Sequence, residues 1–294
     1  MPYLLLALLS LLWGSSFLLI AIATRGFDPL SFAFLRVTIG AVALWALALA
    51  LERRWPRRRG LWLRLAAMAA SGQAIPFVLL ADAARRVSSG ELALMMGAAP
   101  IFAFVISRWL GEGPKWTAAS ALGLALGLAG VAVCVGGPAT AGASFVGGAE
   151  GFLAAFGYAF GATISRGASR AIGPSTAAAV SMTMSAAALA LAWRWSGGSA
   201  AALASAPAAS LAAMAALGLV NTAFAYFLYF TLVVRMGATF AALNNYIVPF
   251  IGLGLGAAFL NERIAWSAWV GLALVIAGVA LTGRAASRGA AARV

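Results

Sequence analysis

Polar residues punctuate this chain at intervals of roughly twenty, and the stretches between them are nearly unbroken runs of Leu, Ala, Val, Ile, Phe and Gly. Ten such stretches follow one another: Tyr3 to Ala23, Leu30 to Leu51, Leu61 to Ala81, Ser88 to Ser107, Trp116 to Gly136, Gly148 to Ser165, Ser175 to Trp195, Ser210 to Val234, Ala238 to Leu260 and Ile264 to Leu281. A hydrocarbon core about 30 Å thick takes roughly 20 helical residues, so each stretch predicts one crossing. The expected fold is therefore an all-α integral membrane protein of ten transmembrane helices. The longest connection, between the seventh and eighth stretches, is rich in Gly, Ser and Ala around Pro207 and predicts a plain loop. Ala21-Ile22-Ala23 has the small-x-small form of a cleavage site, but Met1-Pro2-Tyr3 lacks the positive charge of a secretory leader, so the first span is expected to stay.

Composition closes off the alternatives. Of 294 residues, 64% are hydrophobic and only 9% charged, with a mean hydropathy of +0.98, outside the range of soluble domains. A formal charge of +13 would suggest nucleic acid in a soluble protein; here it reads orientation. Ten spans put both termini on one side, and that side carries Arg53, Arg54, Arg57, Arg58, Arg59, Arg64, Arg108, Lys115, Arg166, Arg170, Arg235, Arg284, Arg288 and Arg293, against Arg25, Arg85, Arg86, Arg194 and Arg263 opposite. The positive-inside rule then makes both termini cytoplasmic in a cell inner membrane, with 285–294 as a basic cytoplasmic tail. The cluster from Glu52 to Arg59 is expected to rest on anionic headgroups. With one cysteine, Cys134, and no His, the chain has no internal disulfide, no structural zinc set and no imidazole base, and no cofactor is expected. The expected partners are a small-molecule substrate and the lipid bilayer, with no nucleic acid, and the expected working unit is a monomer.

Sliding the chain over itself by about 149 residues brings Arg86, Gly90, Pro100, Glu112 and Trp116 near Arg235, Thr239, Pro249, Glu262 and Trp266. Glu-x-x-x-Trp recurs, and Gly123 and Gly130 match Gly271 and Gly278 at equal separation. Upstream, Trp13-Gly14-Ser15 and Pro29 lie near Phe156-Gly157-Tyr158 and Pro174 once two residues are gapped. Residues 1–137 and 138–284 thus read as two five-helix repeats. Five is odd, so the second copy enters the membrane from the opposite side, the arrangement that suits alternating access.

Trp13-Gly14-Ser15-Ser16-Phe17, Pro29 followed by Arg36, and Pro100 then Glu112 repeated as Pro249 then Glu262 resemble the EamA family of the drug/metabolite transporter superfamily. The resemblance covers essentially the whole chain. It implies ten helices in two repeats and export of small metabolites, and within the family it points toward the YddG-like aromatic amino acid exporters. One departure stands out: many members carry a Lys eight residues after the first Trp, where this chain has Ala21.

A solute site belongs near the midplane, where bent helices and inward polar or aromatic groups meet. Counting about ten residues into each span selects Trp13, Ser15 and Ser16; Gln73 and Pro76; Met95, Met96, Gly97 and Pro100; Tyr158; Asn221 and Tyr226; and Asn244, Asn245, Tyr246 and Pro249. Two adjacent amides facing lipid would cost several kcal/mol, so at least one of Asn244 and Asn245 should face inward, toward a substrate or a neighbouring helix. Pro100 and Pro249 are expected to bend their helices at matching places and free carbonyls for an ammonium. Arg36 either snorkels or faces a substrate carboxylate. Glu91 and Glu150 are expected near helix N-termini as dipole partners, with Asp82 at a span boundary. Trp55, Trp109, Trp116, Trp193 and Trp195 read as interfacial anchors. Gly123-x-x-x-Gly127, Gly157-x-x-x-Gly161 and Gly252-x-x-x-Gly256 read as close-packing faces.

The chain is accordingly expected to export small amphipathic metabolites, (aromatic) amino acids first, through a central cavity. A triose-phosphate or nucleotide-sugar exchanger is the competing reading, though multiply anionic cargo should demand several buried cations, and a membrane-embedded enzyme lacks paired acids or a nucleophile in context. The charge asymmetry yields a topology test: reporter fusions at Val294 and after Pro138 should give cytoplasmic and external signals respectively, and two signals on one side would break the ten-span reading.

Overall fold

The computed structural model describes residues 2–52, 55–111, 116–135, 143–236, 240 and 243–291, and every regular element among them is helical. In chain order these are α1 (Pro2–Ala23), α2 (Pro29–Leu51), α3 (Arg59–Ala69), α4 (Ile75–Ala83), α5 (Ser89–Met96), α6 (Ala99–Trp109), α7 (Ala118–Val135), α8 (Ala143–Ile172), α9 (Pro174–Trp195), α10 (Ala200–Ala204), α11 (Ala208–Gly218), α12 (Ala225–Met236), α13 (Asn244–Leu260) and α14 (Trp266–Ala291). A π turn, Ala70–Ala74, joins α3 to α4, and a second, Leu219–Phe224, joins α11 to α12, beginning 149 positions after the first. Six helical stretches are long and apolar enough to cross a membrane: Pro2–Ala23, Pro29–Leu51, Arg59–Ala83, Ser89–Trp109, Pro174–Trp195 and Ala208–Tyr229. Shorter apolar helices cover Ala118–Gly130, Asn244–Leu260 and Trp266–Thr282.

Three of the predicted spans are interrupted rather than continuous. The third and eighth carry the π turns, and the fourth breaks at Gly97–Ala98, with Pro100 second in α6. Pro249, by contrast, sits inside unbroken α13, so the two prolines do not bend their helices alike. Each lacks an N–H, however, which removes the i+4 donor from the Met96 and Asn245 carbonyls. The loop around Pro207 holds the short α10. Glu112, Lys115, Thr239, Arg53, Arg54 and the boundary between 137 and 138 lie outside the described residues.

Helix starts are capped with unusual economy. Asp28 accepts from the Leu30 and Ser31 amides, both at 3.0 Å, while Pro29 supplies the preset first φ of α2. Burial opposes ionisation of Asp28, but the hydrogen bonds from Ser31 and Leu30 outweigh it and hold its carboxyl below the usual value. Ser88 and Glu91 form a capping box on α5. Two more carboxylates cap helices distant in sequence: Glu52 accepts from the Ser175 and Thr176 amides of α9 at 2.9 and 2.7 Å. Glu262 accepts from the Ser89 and Gly90 amides of α5 at 2.8 and 3.2 Å. Orphan amides near hydrocarbon need such acceptors.

Glycine sets how closely the helices approach. A Cβ at Gly123 or Gly130 of α7 would come within 2.7 Å of the Gly278 or Gly271 carbonyl of α14, and one at Gly161 of α8 within 2.5 Å of the Gly72 Cα in the first π turn. Large apolar side chains meanwhile face outward, Leu4 at 72%, Leu191 at 74% and Phe259 at 68% exposure; water would penalise that surface and lipid does not. Trp55, Trp109, Trp116 and Trp195 are exposed as expected. Trp193 is not an anchor: it is buried, stacks on Phe34 with centroids 5.2 Å apart and donates through Nε1 to the Ser31 Oγ at 3.0 Å.

One large apolar cluster joins α1, α2, α4 and α5 through Phe17, Ile20, Phe32, Phe77, Leu80 and Leu92 and continues through Ile101 and Ile106 of α6. Leu6 and Leu9 of α1 pack on Leu228 and Leu232 of α12, while Leu65 of α3 packs separately on Ala168, Ile172 and Val180.

The glycine contacts give a stability test. Gly161→Leu must force α8 off the π turn and should cost about 1–3 kcal/mol, lowering Tm in detergent, whereas Gly254→Leu, with nothing within 4 Å of its Cβ position, should leave Tm unchanged.

Candidate substrate site

Arg36 is the eighth residue of α2, and only 6% of it is exposed. Among the described residues it is the charged side chain buried in the core. The sequence left snorkelling and inward placement open; the side chain points inward. Its guanidinium carbon lies 4.2 Å from the centre of the Phe77 ring and 6.0 Å from that of Phe32, and Tyr158 and Tyr226 are close enough to interact with its charge. Phe77 in turn meets Tyr158, centroids 5.8 Å apart. On the opposite flank Trp13 stands edge-on to Tyr226 at 6.3 Å and tilts against Tyr229 at 5.5 Å. A cation between aromatic faces gains from their quadrupoles, to about 2 kcal/mol when desolvated. That does not replace hydrogen bonds: Nε and Nη1 of Arg36 have no partner among the described residues.

Three buried amides differ in how they are satisfied. Gln73, in the first π turn, donates to the Ser181 Oγ at 2.9 Å and accepts from the Ser185 Oγ at 3.0 Å. Asn221, in the second, donates to the Leu12 carbonyl, to the Ser15 Oγ at 3.0 Å and to the Ser16 Oγ at 3.1 Å, tying this turn to α1. Asn244 opens α13 and is 1% exposed, yet neither its oxygen nor its nitrogen has a partner among the described residues. Asn245 and Tyr246 beside it are half-buried.

A family comparison now bears on the chain as a whole: the profile of the EamA-like transporter family matches residues 1–136 and 147–284. The chain belongs to the EamA-like transporter family. It is a multi-pass membrane protein, and membership makes it a transporter rather than an enzyme. A probable terminal-alkyne amino-acid exporter of Streptantibioticus cattleyicolor is 27% identical over 275 residues, covering 92% of this chain and 90% of that protein. A crystal structure superposes with a TM-score of 0.64 at 19% identity over 98% of both chains, a likeness of fold.

In this EamA-like transporter the expected site residues do not all converge. Trp13, Arg36, Tyr158 and Tyr226 form one continuous aromatic and cationic region. Ser15, Ser16 and Asn221 form one bonded group beside it, and Gln73 is engaged with α9. Met95 is buried against Gly151 of α8 and Met96 is half-buried. Pro249 lies opposite the break after α5, where a Cβ at Gly97 would come within 3.2 Å of its ring. A separate cavity of about 330 Å³ opens at the Arg25 end, lined in part by Thr24, Arg25, Arg85 and Glu262. Glu150 is not in the first turn of its helix, because α8 starts five residues earlier than the hydropathy indicates. It pairs instead with Arg86 at 3.0 Å, which also binds Asp82. Phe77, Tyr229, Ser181 and Ser185 escaped sequence reading; the i, i+4 spacing of Asp82 and Arg86 was the available signal for that pair.

Asn244 separates folding from function. Replacing an unpartnered buried amide by an apolar side chain of similar size removes a desolvation penalty of about 1–3 kcal/mol. Asn244→Leu should therefore keep or raise Tm while transport falls. A lowered Tm with transport intact would return Asn244 to structural packing.

Proposed function

We propose that this transporter exports small amphipathic metabolites, aromatic amino acids above all, by alternating access through the region between Trp13, Arg36, Tyr158 and Tyr226. The observation that carries this reading is the buried Arg36 guanidinium, flanked by Phe32 and Phe77 and with two nitrogens unpartnered. A buried charge without a counter-ion is costly, and a substrate α-carboxylate is the group that offsets the cost without leaving a fixed acid in the membrane. The aromatic walls suit an apolar or aromatic side chain, and the Met96 and Asn245 carbonyls, whose i+4 partners Pro100 and Pro249 have no N–H to give, suit an α-ammonium. Amino-acid cargo is also what the name of the Streptantibioticus relative indicates for that protein. Phosphorylated sugars and nucleotides would require more buried cations than the one in the described core.

The reading takes the chain as ten spans in two inverted five-helix repeats, 1–137 and 138–284, followed by the tail 285–294, in the cell inner membrane with both termini cytoplasmic. Matching π turns 149 positions apart and matching Pro-started helices, α2 at Pro29 and α9 at Pro174, support the repeat.

Counterflow of labelled amino acids into proteoliposomes tests this function. Phenylalanine, tyrosine and tryptophan should exchange well and sugar phosphates poorly. Truncating one partner of a buried, bonded charge pair costs about 2–5 kcal/mol, so Arg36→Gln should lower phenylalanine counterflow roughly thirtyfold or more. Exchange of sugar phosphates but not of aromatic amino acids would refute the reading.

A further inference from the structure

A cavity of about 330 Å³ opens at the Arg25 end of the bundle, within the range of about 300–1,000 Å³ that small-molecule sites occupy. Three turns build it: Thr24 and Arg25 follow α1, Arg85 and Val87 join α4 to α5, and Leu260 and Glu262 lie where α13 gives way to α14. Both halves of the chain thus contribute to it. It is not the Arg36 region. Thr24 lies eleven positions beyond Trp13, about 16 Å along a helix at 1.5 Å per residue, and Phe17 and Ile20 in between are buried in the main apolar cluster.

The polar groups lining the cavity differ in what they have left to give. Glu262 accepts from the Ser89 amide at 2.8 Å, the Ser89 hydroxyl at 3.0 Å and the Gly90 amide at 3.2 Å. Three bonds from α5 fix that carboxylate in place, and neither Arg25 nor Arg85 forms an ion pair with it or with any other described acid. Their neighbour Arg86 is the contrast, held by Asp82 and Glu150. Thr24 gives its hydroxyl proton to the Ile20 carbonyl at 2.9 Å, so toward the cavity its oxygen can only accept. One small cavity therefore presents two guanidiniums with donors unspent beside an immobilised carboxylate and an accepting hydroxyl. An α-amino acid carries an ammonium and a carboxylate on one carbon, and this lining is the complement of that pair.

We propose that the cavity is a second binding station for the cargo, where a free amino acid rests its carboxylate between Arg25 and Arg85 and its ammonium beside Glu262 and Thr24. In the orientation given above it is the external mouth of the path, the last stop of an exported amino acid. The two stations read different ends of the molecule. Around Arg36 the cation is buried among rings, whereas Arg25 and Arg85 are exposed and the apolar lining beside them is aliphatic. This station therefore takes amino acids whatever their side chain, and it holds them weakly, because salt and water screen exposed charges. The inference rests on the reading of the cargo as an amino acid but not on Arg36 as its anchor.

Equilibrium dialysis of labelled phenylalanine against the purified transporter, in uncharged detergent at low salt so that neither anionic lipid nor chloride competes, counts the stations. The wild type should bind one molecule tightly and a second weakly. Alanine, which keeps the polar end and lacks the ring, should displace the weakly bound molecule and leave the tight one. Arg25→Gln/Arg85→Gln should weaken the weak class about tenfold or more, the lower range for one hydrogen bond to a charged group, and leave the tight class and Tm unchanged, since both side chains are exposed. Either single variant decides the matter should the double one not fold. Arg194→Gln removes a charge whose guanidinium bonds the Gly198 carbonyl outside the cavity, and it should change neither class. No weak class in the wild type, a weak class untouched by the Arg25 and Arg85 variants, or one weakened equally by Arg194→Gln overturns the inference. Arg36→Gln keeps the two readings apart: it should abolish the tight class alone, and a tight class that survives it means that the anchor has failed while the second station stands.

Discussion

Burying one guanidinium inside an apolar helix bundle costs several kcal/mol unless something compensates for it, and much of the central packing in this transporter is arranged around that constraint. The rings of Phe32 and Phe77 take up part of the charge. Nothing described takes up the hydrogen bonds of Nε and Nη1. Pairing with a fixed carboxylate would have neutralised Arg36 permanently and left no reason for cargo to bind. The six acids among the described residues sit elsewhere: Asp28, Glu52, Glu91 and Glu262 cap helix ends and Asp82 and Glu150 hold Arg86.

The π turns are the second device. An α-helix that gains one residue in a turn shifts its downstream face and strains its own ladder, which is tolerated where neighbouring polar groups hold the turn. Gln73 and Asn221 hold these two, and Gly72 against Gly161 lets the first approach α8 at backbone distance. Rigid helices on either side of such a turn offer a place for one half of a span to move relative to the other. α1 is held along its length, by Leu6 and Leu9 on α12, by Gly14 closely against Ile251 of α13, and by Phe17 and Ile20 in the main apolar cluster.

Hydropathy carried most of the architecture, because a membrane span is set by length and transfer free energy, both of which are local. The expected span starts at Leu30, Ser175 and Ser88 fall within one residue of the helix starts for the same reason. The interruptions were not, since a π turn at 70–74 or 219–224 depends on which side chains wait on neighbouring helices, and Ser181 and Ser185 reveal nothing about Gln73 in one dimension. Depth counting selected Trp13, Tyr158 and Tyr226, while Arg36 entered only as a charge within a span, and it passed over Phe77, one position beyond Pro76 and 4.2 Å from the guanidinium carbon. It also placed Trp193 at the interface by its nearness to a helix end, whereas the partner on Ser31 draws it inward. Depth separates midplane from interface; it does not say which face of a helix is inside.

The account turns on a carboxylate meeting Arg36, and equilibrium binding to the purified wild-type transporter in detergent tests that most directly. Labelled phenylalanine displaced by a series that keeps the ring and varies the polar end isolates the group that matters. Hydrocinnamate, which keeps the carboxylate, should displace phenylalanine, while phenethylamine, which lacks it, should need at least about thirtyfold more, the lower figure for a buried charge pair. Equal displacement by the two compounds would contradict the account.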